Sequence, residues 1–337
     1  PLSHALQAST NGERIPGRGG HSCVVADSRL VVFGGTFYGG DGEFTYLNDT
    51  WILELESMTW QEVRCGGEIP SPRYGHCCHL MGSRMFVMSG KGRHGELYRD
   101  VHFLDLVDWT WVAVNTTSNG PSPRFWQASA SVGHKIVVHG GWDGKNRCFG
   151  DIWIFDADRF SWMQPRTGGL PPDPRQDPYG HAMILLPDGR ILVSGGATVD
   201  EEYVPRYHQD LRQLDTETML WSKAKTTAGV TPSSRCNHTL TFIEGGQCAV
   251  MFGGWGLGGL QSHGTNKRPG TATIAMYSLP PNGPVTVDCM LPGGRGTPEH
   301  KYGHTCVSFG GELFVFGGWN GQQALDQVIV FKLGGTE

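Results

Sequence analysis

The sequence predicts an all-β fold in which six repeated four-stranded units close into a ring, a six-bladed β-propeller. Three recurring markers carry this prediction: an apolar run ending in a pair of small residues, an Asp-to-Trp spacing that keeps step with it, and a tetrad running from a basic residue to a histidine.

The apolar runs end at Gly34-Gly35, Ser89-Gly90, Gly140-Gly141, Gly195-Gly196, Gly253-Gly254 and Gly317-Gly318, with successive starts 55, 51, 55, 58 and 64 residues apart. Asp49, Asp100, Asp151 and Asp210 are each followed eleven residues later by a tryptophan: Trp60, Trp111, Trp162 and Trp221. The tetrads run Arg18 to His21, Arg73 to His76, Arg124 to Gln127, Arg235 to His238 and Lys301 to His304. In the fourth unit Tyr179-Gly180-His181 keeps the end of this pattern, with Pro178 at the basic position.

Each unit then reads as strand a after the histidine, b into the small pair, c after the aspartate and d around the tryptophan. The chain, residues 1–337, is expected to be one domain with blades near 20–65, 75–116, 126–168, 180–226, 237–289 and 303–333, the last joined by 1–10. A lone sheet of this size cannot cover both its faces, whereas neighbours in a ring do so for one another. The tryptophan is expected to wedge between blades with its N–H on a backbone acceptor.

Two units depart from the pattern. The fifth lacks both Asp and Trp and carries a glycine-rich insertion from Trp255 to Thr271; its strands c and d are expected at 273–279 and near 284–290. The sixth stops at Glu337, eleven residues past Asp326, so its fourth strand must come from elsewhere. Residues 3–9 stand at the right distance before the first tetrad, and counting back sixteen residues from His21 places Ala5 at the tryptophan position.

Composition agrees: 50 Gly and 20 Pro beside 11 Trp and 15 Phe describe short strands and tight turns around large apolar anchors. There is no apolar run of the roughly 18 residues a membrane helix needs, and no basic-then-apolar leader. The chain does not begin with Met, and the expectation is a piece of a longer protein. A net charge of −5 with interspersed signs argues against nucleic-acid or anionic-membrane binding. Nine scattered cysteines without CxxC spacing fit a reducing compartment, cytoplasmic or nuclear. The sequons at Asn48, Asn115 and Asn237 are three-residue matches that weigh little against this.

Six copies of these markers in register resemble the kelch-repeat family, over essentially the whole chain. The spacer Gly120-Pro121-Ser122-Pro123-Arg124 is similar to that of the eukaryotic subclass containing host cell factor, the Rab9 effector and cell-polarity tip proteins. The resemblance implies a scaffold or adaptor that binds other proteins. Two enzyme groups on the same ring provide a contrast. Copper radical oxidases need a Cys–Tyr crosslink and two axial histidines, while iron-dependent specifier proteins carry E-x-x-x-D-x-x-x-H. The tract Asp200 to His208 looks superficially like the latter, but Val204 and Pro205 stand where the second acid would be needed.

The repeated histidines His21, His76, His181, His238 and His304 occur once per blade, spread around a ring, and are expected to be structural. The pairs His76/His79 and His300/His304 lack partners at ligand spacing, so neither metal nor cofactor is expected. Candidate binding residues lie in the b–c and d–a loops, which emerge on one face. The d–a loops offer Arg18, Arg73, Arg124, Arg235 and Lys301, with Tyr74, Trp126 and Tyr302 beside them. The b–c loops add Arg93, Trp142, Arg147, Arg206, Tyr207, Trp255 and Trp319, and further aromatic and charged groups including Tyr38, Phe44, Tyr46, His263, Lys267 and Arg268. Acidic groups Asp41, Glu43, Asp200, Glu201 and Glu202 share the face. Aromatic and guanidinium groups together make a protein-binding surface, suited to a peptide or protein and in particular to an acidic one. The expected function is a protein-interaction module, monomeric as an isolated domain and without catalysis of its own; the alternatives are an enzyme with a channel site or the regulatory domain of a larger catalytic protein.

Overall fold

The computed structural model describes residues 2–39, 42–170, 178–200, 202–226, 232–243, 247–256, 274–280, 284–290 and 300–333. They form six antiparallel sheets, each with the strands of one repeat in the order a-b-c-d. In blade 1 these are Ser22–Ala26, Arg29–Tyr38, Phe44–Glu54 and Thr59–Val63; in blade 2, Cys77–Met81, Arg84–Lys91, Leu97–Asp105 and Thr110–Ala113. Blade 3 holds Ala128–Val132, Lys135–His139, Ile152–Asp156 and Ser161–Met163; blade 4 holds Ala182–Leu185, Arg190–Ser194, Leu211–Asp215 and Leu220–Lys223. Blade 5 holds Thr239–Phe242, Cys248–Phe252, Ile274–Ser278 and Thr286–Met290. Blade 6 takes Thr305–Phe309, Glu312–Phe316 and Val328–Leu333, with Leu2–Gln7 as its strand d. The insertion at 257–273, with His263, Lys267 and Arg268, lies outside the described residues, as do Asp41 and Glu201.

Closure by one N-terminal and three C-terminal strands is as the repeat count requires. Leu2–Gln7 runs antiparallel to Val328–Leu333 with Ala5 opposite Phe331. That is the register in which Trp60 faces Leu53 and Trp111 faces Leu104, so Ala5 does occupy the tryptophan position. The marker at the other end is off by one. Phe316 pairs with Val328 as Phe33 pairs with Thr50, which puts Gln327, not Asp326, at the aspartate position. The Gln327 carbonyl accepts the Gly317 N–H, as Asp151 and Asp210 accept from Gly140 and Gly195, while Asp326 pairs with Arg14 at 3.5 Å across the seam.

Apolar packing sits between blades. Strand b reads as a continuous apolar run because alternate side chains point to opposite faces, and both faces are covered. In blade 1, Leu30 and Val32 pack on Phe314 and Phe316 of blade 6, whereas Val31 and Phe33 pack on Met85 and Val87 of blade 2. Six clusters of this kind occupy the six interfaces. The tryptophans wedge as expected: Trp60 lies 4.9 Å from Phe316 and Trp111 lies 4.7 Å from Phe33, ring centre to ring centre, each on the preceding blade. Among the described residues the N–H groups of Trp60 and Trp111 make no hydrogen bond to a backbone carbonyl, so the expected backbone acceptor is not used. Blades 5 and 6, without that Trp, place an aromatic on strand c opposite the vacant position. Tyr277 faces Val287, and Phe331 lies 5.4 Å from Phe252.

The d–a linkers also hold the ring. Asn11–Gly12, Gly66–Gly67 and Gly168–Gly169 run parallel to strand d of the blade they lead into, shielding an otherwise open edge. At Gly67 a Cβ would stand 2.1 Å from the Trp111 carbonyl, so only glycine fits there.

Deleting residues 1–10 strips strand d from blade 6 and exposes the outer edge of Val328–Leu333. Thermal unfolding of the truncated chain is expected at a temperature roughly 5–10 °C lower, and an unchanged melting temperature would show that the ring closes without that strand.

Candidate functional site

The face bearing the b–c and d–a loops is organised by two circles of backbone hydrogen bonds. The third residue of each opening tetrad donates its N–H to its counterpart in the preceding blade. Gly75 donates to Gly20, Trp126 to Gly75, Gly180 to Trp126, Asn237 to Gly180, Gly303 to Asn237 and Gly20 to Gly303, at 2.6–2.9 Å. All six have φ between 53° and 66°, the left-handed region. In the second circle the second residue of each small pair donates to the carbonyl that opens the next blade's tetrad: Gly35 to Arg73, Gly90 to Arg124, Gly141 to Pro178, Gly196 to Arg235, Gly254 to Lys301 and Gly318 to Arg18, at 2.8–3.0 Å. The second residue of the pair is glycine in every blade because it runs left-handed and is pressed against the side chain that closes the opening tetrad, whereas the first position also holds Ser89, at φ 63°. A Cβ on Gly35 would lie 2.9 Å from His21 Cβ.

The histidines bind blade to blade. His76 Nε2 lies 2.8 Å from Ser22 Oγ, His21 Nε2 2.9 Å from Thr305 Oγ1, and His304 Nε2 3.0 Å from Thr239 Oγ1. Each hydroxyl directly follows the preceding blade's histidine. Where that residue is alanine the pattern changes: His181 turns to His139 at 2.9 Å beside Ala128, and beside Ala182 His238 Nε2 has no hydrogen-bond partner among the described residues. The histidines are spread around the ring and do not converge. Among the described residues His134, Asp156 and Asp158 do bring ligand atoms within 4.8 Å, but Asp156 is already capping the Asp158 and Arg159 N–H groups. In the specifier-like tract, Asp200 caps Glu202 and Val204, and His208 bonds Thr198.

The basic residues of the d–a loops are withdrawn from the surface. Arg18, Arg73, Arg124 and Lys301 are fully buried and Arg235 is 5% exposed. Arg18 grips both carboxylate oxygens of Asp49, Arg73 those of Asp100 and Arg124 those of Asp151, at 2.5–3.0 Å. Each also donates to the first carbonyl of its own blade's small pair, Gly34, Ser89 and Gly140, and Arg235 does the same to Gly253. Burial raises the Asp151 carboxyl, but the hydrogen bonds and charge of Arg124 outweigh it and hold the group below the usual carboxylate range. These side chains clamp the loop base from beneath. Asp and backbone oxygens fill donor positions of Arg18, Arg73 and Arg124, and Ser233 and backbone oxygens those of Arg235, so these guanidinium groups are turned inward.

Above them lies a bowl of about 640 Å³ at the channel mouth, lined by Thr36, Tyr38, Phe44 and Tyr46 of blade 1, Tyr74 and Lys91 of blade 2, and Trp126 of blade 3. Asn237 of blade 5 and Tyr302, Trp319, Gly321, Gln322 and Gln323 of blade 6 complete it. Tyr74 stands at its centre, with ring centres 5.8 Å from Tyr46, 5.8 Å from Trp126 and 6.5 Å from Trp319. Trp142 stacks between Phe125 and Tyr179 at 5.4 and 5.2 Å, and Trp255 lies 5.0 Å from Tyr302 with Tyr207 hydrogen-bonded to it. Burial pushes the Tyr74, Tyr302 and Tyr207 phenols up, so they remain neutral donors. The structure therefore groups the aromatic candidates and places the remaining arginines at the periphery. Arg93 pairs with Glu43 and Arg206 with Asp200, both at 3.3 Å, while Arg147 lies over Phe149. Hairpins from blade 1, tipped by Tyr38 and Phe44, and from blade 4, tipped by Tyr203 and Val204, stand on opposite sides of the ring with exposed apolar tips.

Lys91, Asn237, Gln322 and Gln323 are lining residues not singled out from sequence. A signal existed for Lys91. It follows the small pair, a position that pairs with the second tetrad residue in every blade and is Trp142, Trp255 and Trp319 elsewhere.

Two outcomes follow. Arg73→Ala or Arg124→Ala leaves a half-buried carboxylate unpaired and should cost about 2–3 kcal/mol in urea unfolding, somewhat under the value for a fully buried pair because the aspartates keep some water. The histidines set acid stability. Burial pushes His76, His139 and His238 down to about 3 and His79 to about 4. The unfolded imidazoles bind protons below about pH 6.5, which the folded ones refuse. Stability is therefore full above that pH and falls by about 1.4 kcal/mol per pH unit per histidine toward the folded values. A urea midpoint that stays level from pH 7 to pH 5 would contradict this.

Comparison with known proteins agrees with the geometry. The KLHDC2/KLHL20/DRC7 Kelch-repeats domain model matches residues 20–254, and a Kelch motif matches 300–334. The chain is 25% identical to the flagellar outer-arm dynein alpha chain of Chlamydomonas reinhardtii, over 92% of its own length and 7% of the dynein's. It is 28% identical to host cell factor of Drosophila melanogaster, over 90% of its length and 21% of that protein's. It thus spans a small part of these relatives. The solved structure of YjhT superimposes with a TM-score of 0.62 at 14% identity, covering 80% of this chain and 84% of that one, a likeness of fold alone. The repeats, the ring and the family match together make this chain a member of the kelch-repeat β-propeller family.

Proposed function

We propose that the chain is a protein-interaction module that captures a peptide or protein segment in the aromatic bowl of its b–c and d–a loop face. Kelch-repeat propellers generally mediate protein interactions, which supports the general class. The bowl carries the particular reading. Tyr74, Trp126, Tyr302 and Trp319 present large apolar faces with polar edges, Trp142, Tyr207 and Trp255 extend the surface, and Arg93, Arg147 and Arg206 edge it. Aromatic residues of this kind dominate binding energy where a partner excludes water from around them.

Trp126 adds a second support. At φ 55° it holds a conformation that four of the other five blades assign to glycine at the same position. A bulky residue there costs on the order of 1 kcal/mol, and such strain gathers at functional sites. The Arg18, Arg73, Arg124, Arg235 and Lys301 side chains contribute indirectly, by fixing the loops on which the bowl stands.

The test uses the exposed Tyr38 and Phe44 and the half-buried Tyr302, with the urea midpoint as the check on folding. Partners recovered by affinity capture with the wild-type chain and identified by mass spectrometry are titrated against Tyr38→Ala/Phe44→Ala and Tyr302→Ala. Each should weaken binding at least about tenfold with an unchanged urea midpoint. Val107→Ser, on a c–d turn of the opposite face and 79% exposed, should have no effect. Loss of binding in Val107→Ser with retention in the others would place the interface on the wrong side of the ring.

A further inference from the structure

Among the described residues Lys91 is the one charged group lining the bowl. Its backbone is fixed in both directions, donating to the Tyr74 carbonyl and accepting from the Tyr74 N–H at 2.9 and 3.0 Å. Its ammonium group stands 5.0 Å from the centre of the Phe125 ring. Among the described residues it has no carboxylate within ion-pair distance, in contrast to Arg93 and Arg206, which are paired, and to Arg18, Arg73 and Arg124, which are clamped. Aromatic walls have taken part of its water, which pushes its pKa below the ordinary lysine value. A half-desolvated cation with no counter-charge is an incomplete interaction, and the missing element is an anion.

The surrounding groups favour the same ligand. Among the described residues Trp319 Nε1 is buried without a hydrogen-bond partner, and the phenols of Tyr46, Tyr74 and Tyr302 are further donors. The described lining residues include no carboxylate to repel an acid, whereas Lys91 itself repels a basic side chain. The remaining walls are apolar ring faces, which accept an apolar side chain at the same time.

We infer that Lys91 is the specificity-determining residue of the bowl and selects a protein segment carrying Asp or Glu next to an apolar side chain. This rests on the reading of the bowl as the partner-binding face. The acid closes on the Lys91 ammonium while its apolar neighbour packs among Tyr74, Trp126 and Trp319. The cation–π contact with Phe125 holds the ammonium in place beforehand, so little side-chain freedom is lost on binding.

The experiment is a random peptide array with acetylated and amidated ends, so that the acids on offer are side chains. It is probed with the wild-type chain, Lys91→Met, Lys91→Glu and Tyr302→Ala. Wild type should select sequences enriched in Asp or Glu beside an apolar residue. Lys91→Met should lose that enrichment and bind the best wild-type peptide at least tenfold more weakly, and Lys91→Glu should select Lys or Arg in its place. If all Lys91 variants keep the wild-type preference while Tyr302→Ala loses binding, the bowl stands and the role of Lys91 is refuted. If wild type selects no more than Tyr302→Ala does, both readings fall.

Discussion

Each blade is joined to the next through backbone that turns left-handed, and the rest of the structure depends on that turn. One residue of every opening tetrad and both residues of every small pair have positive φ, and the N–H groups of that tetrad residue and of the pair's second residue point sideways at the neighbouring blade. The resulting circles run around the axis, so each hydrogen bond is completed by the next and the sixth by the first. Side chains then add what backbone cannot. The histidines span from blade to blade at the inner strands, the tryptophans at the outer ones, and the arginines hold each blade's two loops together.

This division of labour explains why the same loop face contains both fixed and free chemistry. The guanidinium groups sit below, saturated by carboxylates and carbonyls, and stop the loop bases from moving. What remains exposed is the position after the small pair and the middle of the tetrad, where the repeat tolerates any residue whose backbone can follow the ring. Blade by blade that freedom has been filled with Tyr74, Trp126, Trp142, Trp255, Tyr302 and Trp319. A surface supported in this way is pre-organised, and ordering it costs a partner little.

The fold was legible because it repeats. Six small pairs, four Asp–Trp spacings and the count back from His21 to Ala5 specify the strand order and the ring closure. Where the repeat degenerates the count misleads: Asp326, an acid one residue early, has the look of the marker, although Gln327 holds the register. The site was only half legible. Repetition marked Arg18, Arg73 and Arg124 as important, but the role it marked was internal, because a residue required in every blade serves what every blade shares. Lys91 escaped for the opposite reason. It differs from its counterparts, and its lack of an ion-pair partner exists only in three dimensions.

Closing the ring with its earliest strand also orders events in time. During synthesis Leu2–Gln7 leaves the ribosome well before Val328–Leu333, its antiparallel neighbour. Until then the segment is an unpaired edge, free to associate with another chain. Blades 1 to 5 can assemble as they emerge, but the two halves of blade 6 meet last. A second copy that is also waiting could donate its own first strand, exchanging ends between nascent propellers. The seam that closes the ring is thus the point at which crowding or slow translation would first produce tangled pairs.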